Sequence, residues 1–286
     1  MGYVKIVTDS TADIFPEVRE QFGIKMIPLK VLFREETYLD AIDLTADNFY
    51  DKLKASEVLP TTSQPSPAEF SELYEEILNA DPECQIISIH ISSVLSGTYQ
   101  SATIAKSMLD EDKESRVFVV DGKSASFGTG NQVLLAAEMA SKGASVEAIL
   151  DALQSRQENY AVYFLVDTLE YLQKGGRIGK AASLVGSLLS IKPILSLEPD
   201  GRVFSLDKAR GQKKAIARTV ELAKERFGDA RVNVVVAYAD DKAPALELEA
   251  KVVEGLNVQE VQYTTVGAVI GTYTGPGVCA VFIYKV

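Results

Sequence analysis

Two short segments concentrate the hydroxyl groups that could do chemistry in this chain. They are Thr61-Thr62-Ser63-Gln64-Pro65-Ser66 and Ser92-Ser93-Val94-Leu95-Ser96-Gly97-Thr98-Tyr99-Gln100-Ser101. A Ser or Thr hydroxyl with no adjacent base is a weak nucleophile, but it donates readily to an anion. The chain carries a single histidine, His90, so bases are scarce. The pattern points to a site that holds a carboxylate or phosphate rather than one that attacks a carbonyl. Pro60 and Pro65 stiffen the first segment and hold its hydroxyls in place. Ser66-Pro67-Ala68-Glu69 has the form of a capping box, so Ser66 reads as a helix cap and Thr62 as a ligand contact. Ser92, Ser93 and Ser96 fall where an apolar strand hands over to a helix, the usual place for an anion in an α/β fold. Gly97 lets a ligand or another backbone approach closely. The second segment is no nucleophile elbow, because Gly-x-Ser-x-Gly is absent.

Four further stretches carry polar chemistry. Thr8-Asp9-Ser10-Thr11 ends the first strand and reads equally as a ligand loop or as a cap. His90 lies one residue before the end of its strand, opposite in face to Ile89 and Ile91, and reads as a core or interface histidine. Lys174-Gly175-Gly176-Arg177 and Lys208-Ala209-Arg210-Gly211-Gln212-Lys213-Lys214 are basic clusters. In an acidic protein such clusters can face a phosphate or an acidic partner, through Arg177 and Arg210. Ile270-Gly271-Thr272-Tyr273-Thr274-Gly275-Pro276-Gly277 reads as a tight turn before the last strand, with the Tyr273 hydroxyl within reach of a ligand.

The elements that must position these residues alternate between short apolar runs and longer amphipathic ones, which predicts an α/β fold. Strands are expected at Val4 to Val7, Ile24 to Phe33, Gln85 to Ile91, Arg116 to Val120, Tyr160 to Val166, Pro193 to Leu197, Arg231 to Ala237, Val258 to Thr265 and Cys279 to Tyr284. Helices are expected at Thr45 to Ala55, Pro67 to Asn79, Thr98 to Leu109, Lys123 to Ser141, Ser145 to Gln157, Gly179 to Leu189, Gln212 to Phe227 and Pro244 to Leu256. With 286 residues and no low-complexity linker, the chain reads as two α/β lobes, 1–158 and 159–286, with a ligand in the cleft between them.

Composition narrows the function. The chain is 47% hydrophobic and 24% charged, as a folded globular protein is. Forty acids against 29 bases give a net charge of −11, which argues against a general nucleic-acid binder. Cys84 and Cys279 read as buried apolar residues, and with one histidine they make no zinc set. No cofactor or metal is expected. Met1-Gly2-Tyr3-Val4-Lys5-Ile6 lacks the form of a signal peptide, Ile6 breaks a myristoylation motif, and no apolar run spans a bilayer. The expected location is the cytoplasm.

Taken in order, Thr8-Asp9-Ser10-Thr11, Thr62-Ser63-Gln64-Pro65, Ser92-Ser93-x-Leu95-Ser96-Gly97-Thr98-Tyr99, Lys174-Gly175-Gly176-Arg177 and Gly275-Pro276-Gly277 resemble the DegV family of bacterial fatty-acid-binding proteins. The resemblance covers nearly the whole chain. It implies a carrier rather than an enzyme. The first lobe would carry the hydroxyl-rich carboxylate site, and the second would cover a long-chain fatty acid. The head group would be held by Thr62 and Ser96, with Ser63 and Ser93 as neighbours. A separate fatty-acid kinase would phosphorylate the bound acid, and the acyl phosphate would feed phospholipid synthesis. Transient membrane contact fits this picture; a membrane span does not. Many members of the family carry His where this chain has Tyr273. Tyrosine still donates a hydrogen bond, but it is not a cation near neutral pH. Two other readings stay open: a serine hydrolase or phosphotransferase using Ser93 or Ser96 with His90 or Asp9 as base, and a regulatory module for another small anion.

Overall fold

Along Gln85-Ile86-Ile87-Ser88-Ile89-His90 the side chains alternate faces, and the two faces are buried against different helices. That pattern belongs to a parallel strand covered on both sides. A computed structural model describes residues 3–186 and 191–286. The reading of the Met1-Gly2 start, and the last residues of the helix expected over Gly179 to Leu189, lie outside them.

In chain order the elements begin with β1 (Val4–Asp9), α1 (Pro16–Phe22), β2 (Lys25–Ile27), β3 (Lys30–Phe33), β4 (Glu36–Leu39), α2 (Ala46–Ala55), β5 (Thr61–Ser63), α3 (Pro67–Ala80) and β6 (Gln85–His90). There follow α4 (Thr98–Ser107), α5 (Glu111–Glu114), β7 (Val117–Asp121), α6 (Phe127–Ser141), α7 (Val146–Glu158), β8 (Tyr160–Leu165) and α8 (Glu170–Lys174). The chain ends with β9 (Ile191–Leu197), β10 (Val203–Arg210), α9 (Gln212–Phe227), β11 (Arg231–Tyr238), α10 (Ala243–Gly255), β12 (Asn257–Thr265), α11 (Ala268–Thr274) and β13 (Cys279–Lys285).

The chain divides into two compact units, Met1–Asp43 with Thr62–Glu158, and Leu44–Thr61 with Asn159–Val286. A single cut at 158/159 has no place for the excursion of Leu44–Thr61. Its cause is packing. Phe49 and Tyr50 of α2 are fully buried, and the Tyr50 hydroxyl donates to the Val266 carbonyl at 2.9 Å. A methyl group at Gly271 on α11 would come within 2.6 Å of the Phe49 ring and of the Tyr50 hydroxyl oxygen, so glycine lets the two helices touch.

The first unit is built on a parallel sheet in the order β2-β1-β6-β7. One face packs Ile6, Ile87 and Ile89 against Val133, Ala136, Ile149 and Leu153 of α6 and α7. The other packs Val7, Ile86 and Val117 against Phe70, Tyr74, Ala102 and Ala105 of α3 and α4. A small sheet, β4-β3-β5, adjoins it. The second unit holds a mixed sheet, β10-β9-β8-β13-β11-β12, whose only parallel pair among the described residues is β11 with β12. Cys84 and Cys279 lie in the apolar cores of the two units, and burial pushes the Cys279 thiol up to about 12.

Several expectations are corrected. The run Ile24 to Phe33 is two strands in two sheets, because Pro28 cannot donate to a ladder and the Leu29 N–H turns instead to Ser10 Oγ at 3.0 Å. Ile270 to Gly277 is not one turn: α11 runs to Thr274 and ends at Gly275, so Tyr273 stands on the last helical turn. The helix expected from Lys123 begins at Phe127, and Gly179–Leu184 is a 3-10 segment.

Glycine at position 130 is demanded by close packing. A Cβ there would meet the Ala12 carbonyl at 2.3 Å, which no side-chain rotation relieves. Gly130→Ala is expected to destabilise the first unit by about 1–3 kcal/mol, the usual cost of overpacking, read as a lowered urea midpoint with unchanged slope.

Candidate functional site

The carboxyl end of β6 delivers the serine turn. Ser92 is buried, and its N–H donates to the Ser124 carbonyl at 2.8 Å. The Ser96 N–H closes the turn on the Ser92 carbonyl at 3.1 Å, and Gly97 caps α4. The Ser96 Oγ and Thr98 Oγ1 lie 2.9 Å apart. Two hydroxyls sharing one hydrogen bond keep a second hydrogen to give, and the first N–H groups of α4 have no carbonyl within the helix. Thr98, the fully buried half of this pair, escaped the sequence reading, although its spacing from Ser96 was visible.

Thr62 and Ser63 lie on β5, a strand rather than a loop. Thr62 is half-buried and Ser63 exposed, with its hydroxyl 3.4 Å from the Gln64 carbonyl. The next residue joins the two hydroxyl segments. A methyl group at Gly97 would fall 2.8 Å from Gln64 Nε2, so the glutamine amide occupies the space that Gly97 leaves open. Beyond it, Ser66 accepts from the Glu69 N–H, while Glu69 accepts from the Ser66 N–H at 2.7 Å. The capping box forms as expected, with Pro67 at the first helical position.

Glu69 also pairs with Lys30 of β3 at 2.8 Å. The Lys30 ammonium, then the Ser66 N–H, hold its carboxyl down at about 2, against an ordinary 4.5. A carboxyl depressed in the folded state stabilises above its unfolded value, and that contribution disappears as pH falls from 4.5 through about 2. The side chain is 41% exposed, so solvent screening keeps the effect small. Glu69→Gln is expected to flatten the acid limb of the Tm-against-pH curve slightly, and high salt to shrink the difference from the parent.

Ser93 is exposed, and its partner is Asp121 at the end of β7: its hydroxyl donates to Asp121 Oδ2 at 2.6 Å and its N–H to Oδ1 at 3.2 Å. The Thr8-Asp9-Ser10-Thr11 segment is fully built into the first unit. Asp9 Oδ1 accepts from the Thr11 N–H at 3.0 Å and the Thr11 hydroxyl at 2.5 Å. Asp9 Oδ2 accepts from the Ile91 N–H at 3.1 Å and lies 2.9 Å from His90 Nδ1. His90 Nε2 lies 2.7 Å from Ser88 Oγ, which accepts from the Tyr74 hydroxyl at 2.7 Å. An acceptor-only carboxylate at Nδ1 assigns the proton to that nitrogen. His90 is therefore a core histidine, edge-on to Phe70, and its partners are neither Ser93 nor Ser96. Neither His90 nor Asp9 is hydrogen-bonded to Ser93 or Ser96, the pairings that the hydrolase reading named.

Tyr273 and Arg177 meet within the second unit. The Tyr273 ring lies over Gly175, where a Cβ would approach it to 2.3 Å, and the Arg177 guanidinium stands 4.8 Å from the ring centre. The adjoining Gly275 leaves similar room for the Tyr171 ring and has φ +79°. Arg210 ends β10 and is exposed; Gly211 separates it from Lys213 and Lys214, which open α9. The second basic cluster is thus divided between a strand and a helix. Among the described residues no helix is long and apolar enough to cross a membrane.

The fold and these turns define an α/β protein of two units, in which a hydroxyl-rich turn leaves the carboxyl end of a parallel strand. The DegV family model, described as "Uncharacterised protein, DegV family", matches residues 3–286, and the chain belongs to that family. The protein DegV of Bacillus subtilis is 41% identical over 279 residues, 96% of each chain. A DegV family protein from Thermus thermophilus, described for its fatty acid binding, superposes with a TM-score of 0.92 at 37% identity, over 99% of this chain and 100% of that one. The structure of B. subtilis DegV, described as a fatty acid binding protein, gives a TM-score of 0.85 at 38% identity and covers 100% of both chains.

Proposed function

We propose that this protein binds a long-chain fatty acid and presents its carboxylate to a separate fatty-acid kinase. The observation that carries the reading is the closure of the two hydroxyl segments on each other through Gln64 and Gly97, in a family whose relatives from T. thermophilus and B. subtilis are described as fatty acid binding. Thr62 and Ser96 grip the head group, and Thr98 shares a proton with Ser96. Each hydrogen bond to a charged oxygen contributes about 1.5–3 kcal/mol. A tail of about 14 buried methylenes contributes on the order of 11 kcal/mol, at about 0.8 kcal/mol each. The tail therefore sets affinity, and the hydroxyls set which end is presented. Chemistry belongs to the partner: the one histidine is locked in the core. Arg177 and Arg210 are the residues suited to meet a phosphate or an acidic surface of that partner. Tyr273, whose ring lies beneath Arg177, carries a further hydroxyl able to donate to an anion.

Delipidated protein is expected to take up one long-chain fatty acid per chain in native mass spectrometry, and protein purified from its own cells to carry an acyl chain. Failure of both, with a thermal shift from a phosphorylated metabolite instead, would replace this reading with that of a regulatory anion module.

A further inference from the structure

We infer that Asp121 is the positioning residue of the serine turn, and that Ser93 is committed to Asp121 rather than to the ligand; as a statement about ligand binding this rests on the fatty-acid reading above. Asp121 ends β7, directly opposite His90 in register, at the point where β6 gives way to the turn. Its two oxygens take up three donors. Oδ2 accepts the Ser93 hydroxyl, while Oδ1 accepts the N–H groups of Ser93 at 3.2 Å and Lys123 at 2.9 Å. Lys123 has φ +48°, a left-handed backbone without the help of glycine, so one carboxylate holds both the serine turn and a strained neighbouring loop.

The strand end carrying Asp121 is fixed in turn. The Gly122 N–H donates to the His90 carbonyl at 2.8 Å, and Gln157 of α7 donates to the Asp121 carbonyl at 3.0 Å and to Gln132 of α6 at 2.8 Å. A side chain held this firmly supplies what a binding turn needs, a support that does not move when the ligand arrives. With its hydroxyl hydrogen given to Asp121, Ser93 has none left for a carboxylate. The Ser96–Thr98 pair, with two hydrogens and one mutual bond, retains one.

The test is a cycle of Asp121→Ala, Ser93→Ala and the double variant, each delipidated and titrated with palmitate and with hexadecanol. Asp121→Ala is expected to weaken palmitate binding about five-fold, less than removal of the Thr62 and Ser96 hydroxyls themselves, while leaving hexadecanol, which depends on the tail, within about two-fold. Ser93→Ala is expected to cost a few-fold in the parent and nothing further in the Asp121→Ala background. An undiminished effect of Ser93→Ala in that background, or an unchanged palmitate-to-hexadecanol ratio in Asp121→Ala, overturns the inference. Hydrogen exchange without ligand separates it from the parent reading: the amides of Ser93 to Gly97 are expected to exchange faster in Asp121→Ala, and unchanged protection there overturns the inference whether or not the parent protein binds lipid. Should Asp121→Ala fail to fold, Asp121→Asn keeps one acceptor oxygen, and the same two readouts apply to it.

Discussion

Asp9→Ala is expected to destabilise the protein by about 3–5 kcal/mol, as loss of one partner from a buried pair does, or to prevent its accumulation in folded form. Asp9 is fully buried and accepts four hydrogen bonds, from the Thr11 N–H and hydroxyl, the Ile91 N–H and His90. Removing the carboxylate leaves these donors in an apolar interior, and each orphaned group costs about 1–3 kcal/mol. The damage spreads along a line of contacts. His90 loses the acceptor that fixes its tautomer, and through Nε2 it contacts Ser88, which in turn accepts from Tyr74. Burial keeps the Tyr74 phenol well above the ordinary tyrosine value, so it serves only as a neutral donor. Asp9→Asn is expected to fall between the parent and Asp9→Ala, since an amide oxygen replaces part of the acceptor set while its NH2 meets donors. Urea unfolding followed by circular dichroism measures all three. A loss below about 1 kcal/mol for Asp9→Ala, the level of a typical surface pair, would show that the network is dispensable.

The legibility of this chain follows the range of the forces involved. The alternation in Gln85 to His90 and the capping box at Ser66 are written in neighbouring residues, and both appear where the sequence puts them. The role of Thr8-Asp9-Ser10-Thr11 was not legible, because Asp9 acts on His90 and Ile91, more than eighty positions away. A cap and a ligand loop use the same residue types, and only the distant partner tells them apart. The short elements escaped for a different reason. In α11, Gly271 weakens helix propensity, and its purpose, the approach of Phe49 and Tyr50, lies on a helix far back in the chain. In β10, charged side chains at alternate exposed positions look like a solvated basic cluster until the pairing with β9 is known. The meeting of the hydroxyl segments was anticipated only through family resemblance. Nothing local to Gln64 says that its amide fills the space above Gly97.

Replacing Thr62 and Ser96 together by alanine is expected to separate two properties that a simple binding site would lose together. If each hydroxyl contributes about 1.5–3 kcal/mol to holding a charged head, the double variant loses on the order of 3–6 kcal/mol of head-group fixation before desolvation is counted. Water recovers part of that, because a carboxylate released from the turn is resolvated. The tail term, on the order of 11 kcal/mol, is untouched. Total lipid uptake is therefore expected to fall by no more than about ten-fold. Phosphorylation of the bound acid by its kinase is expected to fall about 100-fold or more, because transfer demands the carboxylate at one position and orientation. Acid-over-alcohol preference is expected to collapse towards unity, since an alcohol never used the full donor set. Equal losses in uptake and turnover would mean that these hydroxyls contribute to holding the chain rather than to aiming its head. The role of Gly97 gives an internal check. Gly97→Ala leaves every hydroxyl in place but pushes the Gln64 amide aside, so it is expected to lower turnover while sparing uptake, in the same direction as the double variant and by less.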